Sequence, residues 1–531
     1  MDRLDARGAA QHGDDLGRRR FLRGIVATGA VASTGGLLGC SSTSSSPAAG
    51  SARRRGGDLK LGLTGGSTSD TIDPHKGLTY TDTSRLQSLY SPLVQLDAQA
   101  QVEYVLAESI SPHNGSPSEW IIRLRPGVTF HDGQNLTADD VIYTFRRIIS
   151  NGFSGSTGLG PVDVKGMKAL DKFTVLVPME RPYASFADQL AAFWLYLYIV
   201  PAGFNPAKPN GTGPFIYQSF TPGLRSVFTR NPHYWKTGLP YVDTLTIIDF
   251  TDSVSLQNAL ATKVIQGAGT LDGPQIATLA ATSGVRTVVS HAGSITPFTM
   301  RVDQAPFNDV NVRQALRLTV GRQELINSAL DGYGTVGNDV FSPFDPDYDS
   351  SLTREQDIPQ AKFLLKRAGK ENLTVQLITS SVAPGTVAMA TVLAQQAQAA
   401  GVTISLKTVQ PGVFFGPDYL RWTFSQDYYN YSPYLAQVAY SMLPASPFNE
   451  THTDNAQYNN WYAEVNATFN LSTRKNILHE MQRFDFTQGG YIIPAFIDSL
   501  DAYSTEITGY SPTRVGQPLS SFDFENFSLV A

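Results

Sequence analysis

The sequence predicts an α/β protein built as more than one lobe, and three observations carry that expectation. At 531 residues the chain exceeds the size near which single hydrophobic cores stop growing. Segments of strand period alternate with segments of helix period along most of it. One strand–helix–strand unit stands out: a strand over 374–379, an Ala-rich helix over 386–400 ended by Gly401, and a strand over 402–409. A unit of that length implies two parallel strands joined by a right-handed crossover.

The elements follow in order. Residues 59–63 alternate like a strand, and 120–125 form a strand closed by the Pro126-Gly127 turn, where proline presets φ and glycine accepts φ > 0. A short strand over 128–130 turns at Asp132-Gly133. Thr137 caps a helix whose first turn holds Asp139 and Asp140, well placed against the macrodipole, and Val141, Thr144, Phe145, Ile148 and Ile149 follow at helical spacing. Asp309 opens a helix carrying Val312, Ala315, Leu316 and Val320. Pro359 lies near the start of another, with Ala361, Leu364, Leu365 and Ala368, stopped by Gly369. A last long helix over 472–487 leads to a strand over 491–497. No internal repeat is present.

The N-terminus reads as a targeting segment. Gly17-Arg18-Arg19-Arg20-Phe21-Leu22-Arg23 precedes a modestly apolar stretch, 25–38, which leads into Leu37-Leu38-Gly39-Cys40. At about 14 residues that stretch is too short to span a bilayer comfortably. Arg18, Arg19 and Arg20 before Phe-Leu resemble a twin-arginine export signal, with Gly17 where Ser or Thr is usual. Leu-Leu-Gly-Cys resembles a lipobox, with Leu38 bulkier than the usual residue, which implies removal of 1–39 and lipidation of Cys40. Residues 40–57, rich in Ser, Ala and Gly with Arg53-Arg54-Arg55, read as a flexible tether. Its arginines suit anionic headgroups at about 1 kcal/mol each.

Composition narrows the function. Forty-one basic against 46 acidic residues, net −5 and without a long basic run, exclude a nucleic-acid partner. Charged residues make up 16 %, below the average of about 25 %, so the surface suits neutral, hydrogen-bonding ligands. Cys40 is the only cysteine, so the body has no disulfide or thiolate metal site. The eight histidines show no i, i+4 pair, and no metal or cofactor is expected.

Several blocks carry a resemblance when taken together. They are Thr71-Ile72-Asp73-Pro74-His75 with Leu89-Tyr90-Ser91-Pro92-Leu93-Val94; Leu124-Arg125-Pro126-Gly127-Val128-Thr129-Phe130-His131-Asp132-Gly133; Gly211-Thr212-Gly213-Pro214-Phe215; Arg230-Asn231-Pro232-His233-Tyr234-Trp235; and Pro306-Phe307-Asn308-Asp309 through Leu316. In this order they resemble the bacterial extracellular solute-binding proteins of family 5, the peptide/nickel-binding group of ABC importers. Most of the blocks read as scaffold. His131-Asp132-Gly133 is a turn, since adjacent strand residues face opposite ways and no nucleophile accompanies them. Gly211-Thr212-Gly213-Pro214 lacks the Lys-Ser/Thr of a phosphate loop, and Trp235 is a packing anchor.

The resemblance implies a two-lobed periplasmic-binding-protein-like α/β fold of type II, with an additional subdomain in lobe 1 and a two-segment hinge. It places lobe 1 at 58–295 and 491–531 and lobe 2 at 296–490, with crossings near 294–299 and 490–495. The implied function is non-enzymatic: a monomer, lipid-anchored outside the cytoplasm, that captures an oligopeptide and delivers it to an ABC permease with its ATPase subunits.

The stretch from Trp422 to Tyr434 is richest in chemistry. It resembles the family segment in which an aspartate of an Asp-Tyr motif pairs with the α-amine of a bound peptide, and Asp427 falls on that position. One carboxylate in an aromatic, partly dehydrated cleft is a good ammonium anchor. Trp422, Phe424, Tyr428, Tyr429 and Tyr80 are the expected aromatic contacts, and Arg301 either meets a ligand carboxylate or pairs with a neighbouring acid. The chain departs from the family at Leu260-Ala261-Thr262-Lys263-Val264-Ile265-Gln266, where Leu-x-x-Gly-x-x-Asp is usual, at Gly321 in place of Asp, and at Arg301 in place of Asn.

Rival readings remain open at this level. An oligosaccharide could stack on Trp422, Tyr428, Tyr429, Tyr431, Tyr434, Trp461 and Tyr462. A nickel chelate would use His452. A hydrolase would need Asp427 about 5–9 Å from a second carboxylate such as Glu450 or Glu464, and a sensor or scaffold would need no permease.

Overall fold

The computed structural model describes residues 53–77 and 79–531. Cys40, the arginines Arg18, Arg19 and Arg20, and the residues around them lie outside the described residues. Among the described residues, no helix is long and apolar enough to cross a membrane.

Lobe 1 is organised by a mixed sheet around the strand Asp58–Thr64, which pairs in parallel with Thr244–Phe250 on one side and Gly267–Ala268 on the other. Beyond Thr244–Phe250 the antiparallel strands Arg225–Arg230 and Phe215–Thr221 follow. Beyond Gly267–Ala268 the C-terminal strand Ala495–Ser504 enters antiparallel, and Val285–Ser294 pairs with its far side. Chain start and chain end therefore share one sheet. A separate antiparallel sheet, in the order Ala107–Pro112, Glu119–Leu124, Thr174–Pro178, Lys168–Asp171, forms the subdomain with the helix Ala138–Ser150. That helix begins where the sequence places it: the Thr137 side chain and the N3 residue Asp140 close a reciprocal capping box.

Lobe 2 holds a five-stranded sheet ordered Thr403–Val409, Thr374–Ser380, Phe424–Gln426, Phe298–Met300, Tyr491–Ile492. The first two strands are parallel in full register, joined through the helix Thr386–Ala397, and Gly401 ends that connection at φ 84°. Leu377, Met389, Leu393, Val312, Leu316 and Phe424 are all buried in this lobe's core.

Two short segments carry the chain between the sheets, and the expected lobe 2 range 296–490 is corrected at Gly334–Val336, which pairs antiparallel with the start of Ala495–Ser504 in the lobe 1 sheet. Val285–Ser294 belongs to the lobe 1 sheet and Phe298–Met300 to the lobe 2 sheet, so the chain changes sheet across Ile295, Thr296 and Pro297. The return is at Ile493-Pro494. The sequence expectation of one strand over 491–497 is corrected here: Tyr491–Ile492 pairs in lobe 2 and Ala495–Ser504 in lobe 1, with proline unable to donate at the break. The expected strand over 128–130 reduces to an isolated bridge between Thr129 and Asn135, too short for a ladder.

The tether expectation also changes. Arg53–Arg54 pairs antiparallel with the C-terminal strand Ser528–Val530, Gly56 donates its N–H to the Tyr241 carbonyl, and the Arg53 guanidinium lies over the Tyr241 ring. Residues 53–57 are thus part of the folded body, because an exposed sheet edge offers backbone partners that composition does not reveal.

The lobes are closed on each other. The largest apolar core is continuous from the subdomain (Phe186, Phe193, Tyr183) to the lobe 2 helices Ala456–Asn466 and Leu471–Gln488. Phe193 packs edge-on against Tyr440 at 5.1 Å, and Ala184 donates to the Asn466 carbonyl.

Candidate functional site

The scaffold blocks contact one another. The His131 N–H donates to the Gly211 carbonyl, and the imidazole Nε2 meets the Gly213 carbonyl at 3.1 Å. Burial pushes the His131 imidazole down to about 4, so it is neutral and structural. Gly211 must be glycine: a Cβ there would stand 2.1 Å from the Leu89 carbonyl oxygen at the end of the helix Tyr80–Leu89. Arg125 and Lys236 lie over the Trp235 ring, fixing it as an anchor.

The chemistry gathers where the strand Phe424–Gln426 runs out beside the first crossing. This strand pairs antiparallel with Phe298–Met300, and side chains on it alternate between faces. Phe424 points into the lobe 2 core, 1 % exposed and 5.1 Å from the Phe307 ring. It is removed from the set of ligand contacts. The opposite face carries Ser425, bonded to Thr299 at 2.6 Å, and Asp427. Asp427 donates its backbone N–H to the Pro297 carbonyl, and Tyr429 exchanges backbone bonds with Ile295, so the site is anchored to the crossing itself.

The Asp427 carboxyl is 2 % exposed. Its Oδ2 accepts the Tyr419 hydroxyl at 2.8 Å and its Oδ1 accepts the Tyr428 N–H at 2.7 Å. Beside it lies Glu450, 3 % exposed, whose Oε1 accepts the Tyr429 hydroxyl at 2.7 Å and whose Oε2 lies 3.4 Å from the Thr299 hydroxyl. A side-chain hydrogen bond joins the two carboxyls. Burial pushes Asp427 up to about 6, while burial and the Asp427 charge push Glu450 well above the usual carboxylate range. Neither has a lysine, arginine or histidine partner among the described residues. An aromatic shell surrounds the pair. Tyr419 meets Phe448, Phe448 meets Tyr440 at 4.5 Å, and Tyr440 meets Tyr429.

The other expected residues fall out unevenly. Tyr80, on lobe 1, donates its hydroxyl to Asn430 Oδ1 at 2.8 Å. Tyr428 is half-buried beside Asp427, and burial, with Tyr80, Tyr196 and Asp427 nearby, pushes its phenol up. Tyr429 is buried and serves Glu450. Trp422 is half-buried, with its indole N–H on the Phe414 carbonyl and Lys407 over its ring. Arg301 is corrected as a ligand contact: its guanidinium grips Asp303 with Nε–Oδ1 at 2.8 Å and Nη2–Oδ2 at 2.5 Å, so it pairs with a neighbouring acid.

The structure also bears on the rival readings. Tyr431, Tyr434 and Tyr462 are buried in the core and offer no face to a sugar ring. His452 bonds the Leu420 carbonyl, and no cluster of three metal-ligating side chains occurs among the described residues. Asp427 and Glu450 touch, which leaves no gap for the substrate atoms that a glycosidase pair flanks, and Glu464 is exposed. Sequence reasoning did not single out Tyr419 or Asn430, and it named Glu450 only as a catalytic partner. A Tyr eight residues before Asp427, on a Pro417-Asp418 turn, is the one local hint.

Residues 101–461 match the family model described as "Bacterial extracellular solute-binding proteins, family 5 Middle". The chain is similar to the oligopeptide-binding protein AppA of Bacillus subtilis, 28 % identical over 342 residues covering 62 % of this chain and 61 % of that protein. It is also similar to the nickel-binding periplasmic protein of Escherichia coli, 29 % identical over 293 residues, 53 % of this chain and 56 % of that one. These alignments span less than two thirds of the relatives' lengths. The periplasmic binding protein DppA of Helicobacter pylori, solved with the peptide STSA, superposes with a TM-score of 0.78 at 19 % identity, covering 90 % of this chain and 99 % of that one. With the family model matching well over half its length, the chain belongs to the bacterial extracellular solute-binding proteins of family 5.

Proposed function

We propose that this protein is the substrate-binding component of an ABC importer that captures oligopeptides through their free amino terminus. One observation carries the reading. Asp427 is a buried carboxyl beside the first crossing, wrapped in aromatic side chains and without a basic partner among the described residues. A carboxylate so placed gains most from a ligand ammonium, because the low local dielectric strengthens a charge-assisted hydrogen bond. Its position at the crossing couples ligand contact to lobe closure. The names of AppA and of the peptide-bound DppA support a peptide, and they are relatives in sequence and in fold respectively.

In the same proposal the protein is an extracytoplasmic monomer, exported by its arginine-rich signal and lipid-anchored at Cys40. It hands ligand to a membrane permease with ATPase subunits, and it performs no catalysis itself. Isothermal titration of tri- to pentapeptides tests the site. Asp427→Asn should weaken free-amine peptides at least tenfold and spare N-acetylated ones. Equal wild-type affinity for free and acetylated peptides would overturn the reading.

A further inference from the structure

We propose that Glu450 is a positioning partner of Asp427 that holds the single proton of the pair, so that the site presents one negative charge and accepts one ligand cation. The inference rests on the amine-anchoring reading above and adds a second residue and a charge state to it.

Two carboxyls in hydrogen-bond contact repel unless a proton lies between them. Among the described residues, no basic group pairs with either carboxyl. The groups facing the pair are Tyr419 from the segment before the strand, Tyr428 and Tyr429 beyond it, Tyr440 from the helix Tyr434–Ser441, Tyr491 from the strand Tyr491–Ile492 and Thr299 from the strand Phe298–Met300. His452, two residues from Glu450, turns to the Leu420 carbonyl and lies 3.8 Å from Asp303.

The hydrogen bonds decide which carboxyl keeps the proton. Asp427 receives two short donors, one on each oxygen: Tyr419 O–H at 2.8 Å and Tyr428 N–H at 2.7 Å. Donors aimed at both oxygens favour the ionised form. Glu450 receives one short donor, Tyr429 O–H on Oε1, and only the 3.4 Å approach of Thr299 on Oε2. Glu450 is therefore the neutral acid, donating its hydrogen to Asp427, and Asp427 is the carboxylate. The donated bond orients Asp427 and limits its basicity, as a second-sphere donor does for any buried anion. A ligand ammonium then neutralises the site by replacing the Tyr419 hydroxyl on Asp427, while a neutral ligand terminus leaves a buried charge unpaired.

The test has a ligand-free and a ligand-bound arm. In infrared difference spectra at pH 7.5, wild type minus Glu450→Gln should show one protonated buried carboxyl, and wild type minus Asp427→Asn should show none. An unchanged protonated-carboxyl band in Glu450→Gln, or its loss in Asp427→Asn, overturns the assignment. In calorimetry with Ala-Ala-Ala and its N-acetyl form, Glu450→Gln can still donate to Asp427 and should stay within about threefold of wild type, while Glu450→Leu should lose at least tenfold. If Glu450→Gln loses as much as Asp427→Asn, Glu450 is an ionised co-ligand: this inference fails and the amine reading stands. If wild type does not prefer the free amine, the amine reading fails, and the infrared arm alone decides the proton's place.

Discussion

The hydroxyl of Tyr80 donates to Asn430 Oδ1 at 2.8 Å, joining positions 350 residues apart in the chain. Tyr80 opens the helix Tyr80–Leu89 of lobe 1, whereas Asn430 follows Asp427 on the segment bonded to the first crossing. One hydrogen bond thus links the lobe 1 wall to the strand end that carries the candidate anchor. A typical hydrogen bond contributes about 1 kcal/mol, or about fivefold in an equilibrium. Tyr80→Phe should shift the ligand-free protein toward the open form by about that factor. The check is a larger radius of gyration by small-angle X-ray scattering, and an unchanged profile would deny the bond a role in closure.

Tyr419 holds the Asp427 oxygen that a ligand ammonium would take. Tyr419→Phe keeps the ring contacts with Phe414, Phe415 and Phe448 and removes only the competing hydroxyl. Free-amine peptides should therefore bind several-fold tighter, with acetylated peptides unaffected. Weaker binding of the free amine, measured by titration calorimetry, would show that the hydroxyl assists the ligand instead.

Stability should fall as pH rises toward neutrality. Burial raises Asp427 to about 6 and Asp485, Asp501 and Asp523 to about 7, so the folded state holds protons that the unfolded chain has released. Where the native state binds more protons, stability declines with pH. His75 and His131 oppose this below about 6.5, because burial lowers each to about 4 and the unfolded chain is the one that protonates there. Four raised carboxyls against two lowered imidazoles leave a net decline from about pH 5 upward, which fades above about 7 as the folded-state carboxyls lose their protons too. Urea midpoints measured from pH 5 to 8 check this, and Asp501→Asn should flatten the slope.

Among the described residues, Asp339 is the shared ion-pair partner of a buried arginine cluster. Its Oδ2 lies 2.9 Å from Arg322, 2.6 Å from Arg354 and 3.9 Å from Arg317, and its Oδ1 accepts the N–H of Ile493 at the second crossing. The nearby guanidiniums hold its carboxyl below the usual range despite burial. Asp339→Ala would leave those charges unpaired in the interior, at a cost of about 3–5 kcal/mol. Denaturant titration should register that loss, and a change under about 1 kcal/mol would mean that water or backbone carbonyls replace the carboxylate.

Much of the architecture was legible because its signals are local. Thr137 with Asp140, Asp309 before its helix, and Gly369 and Gly401 after theirs act within three or four residues, so they read directly. The strand–helix–strand unit was legible for the same reason. Misreadings came where a distant partner decides the outcome. Residues 491–497 look like one strand until two different sheets claim its halves on either side of Pro494. Phe424 looks like a cleft aromatic until strand alternation turns it away from Asp427. Residues 53–57 look like tether until the last strand, Ser528–Val530, offers them an edge.

The sequence by itself determined the α/β character, the helix boundaries and the family motifs, since each depends on neighbours in the chain. It also singled out Asp427. Only the tertiary structure decided that Arg301 answers Asp303 and that Tyr419 covers Asp427. It alone brought Glu450 against that carboxylate. Those pairings follow from strand order and the two crossings, which set which side chains share a dehydrated space. In such a space the number of donors and charges, and not the residue types alone, fixes the chemistry.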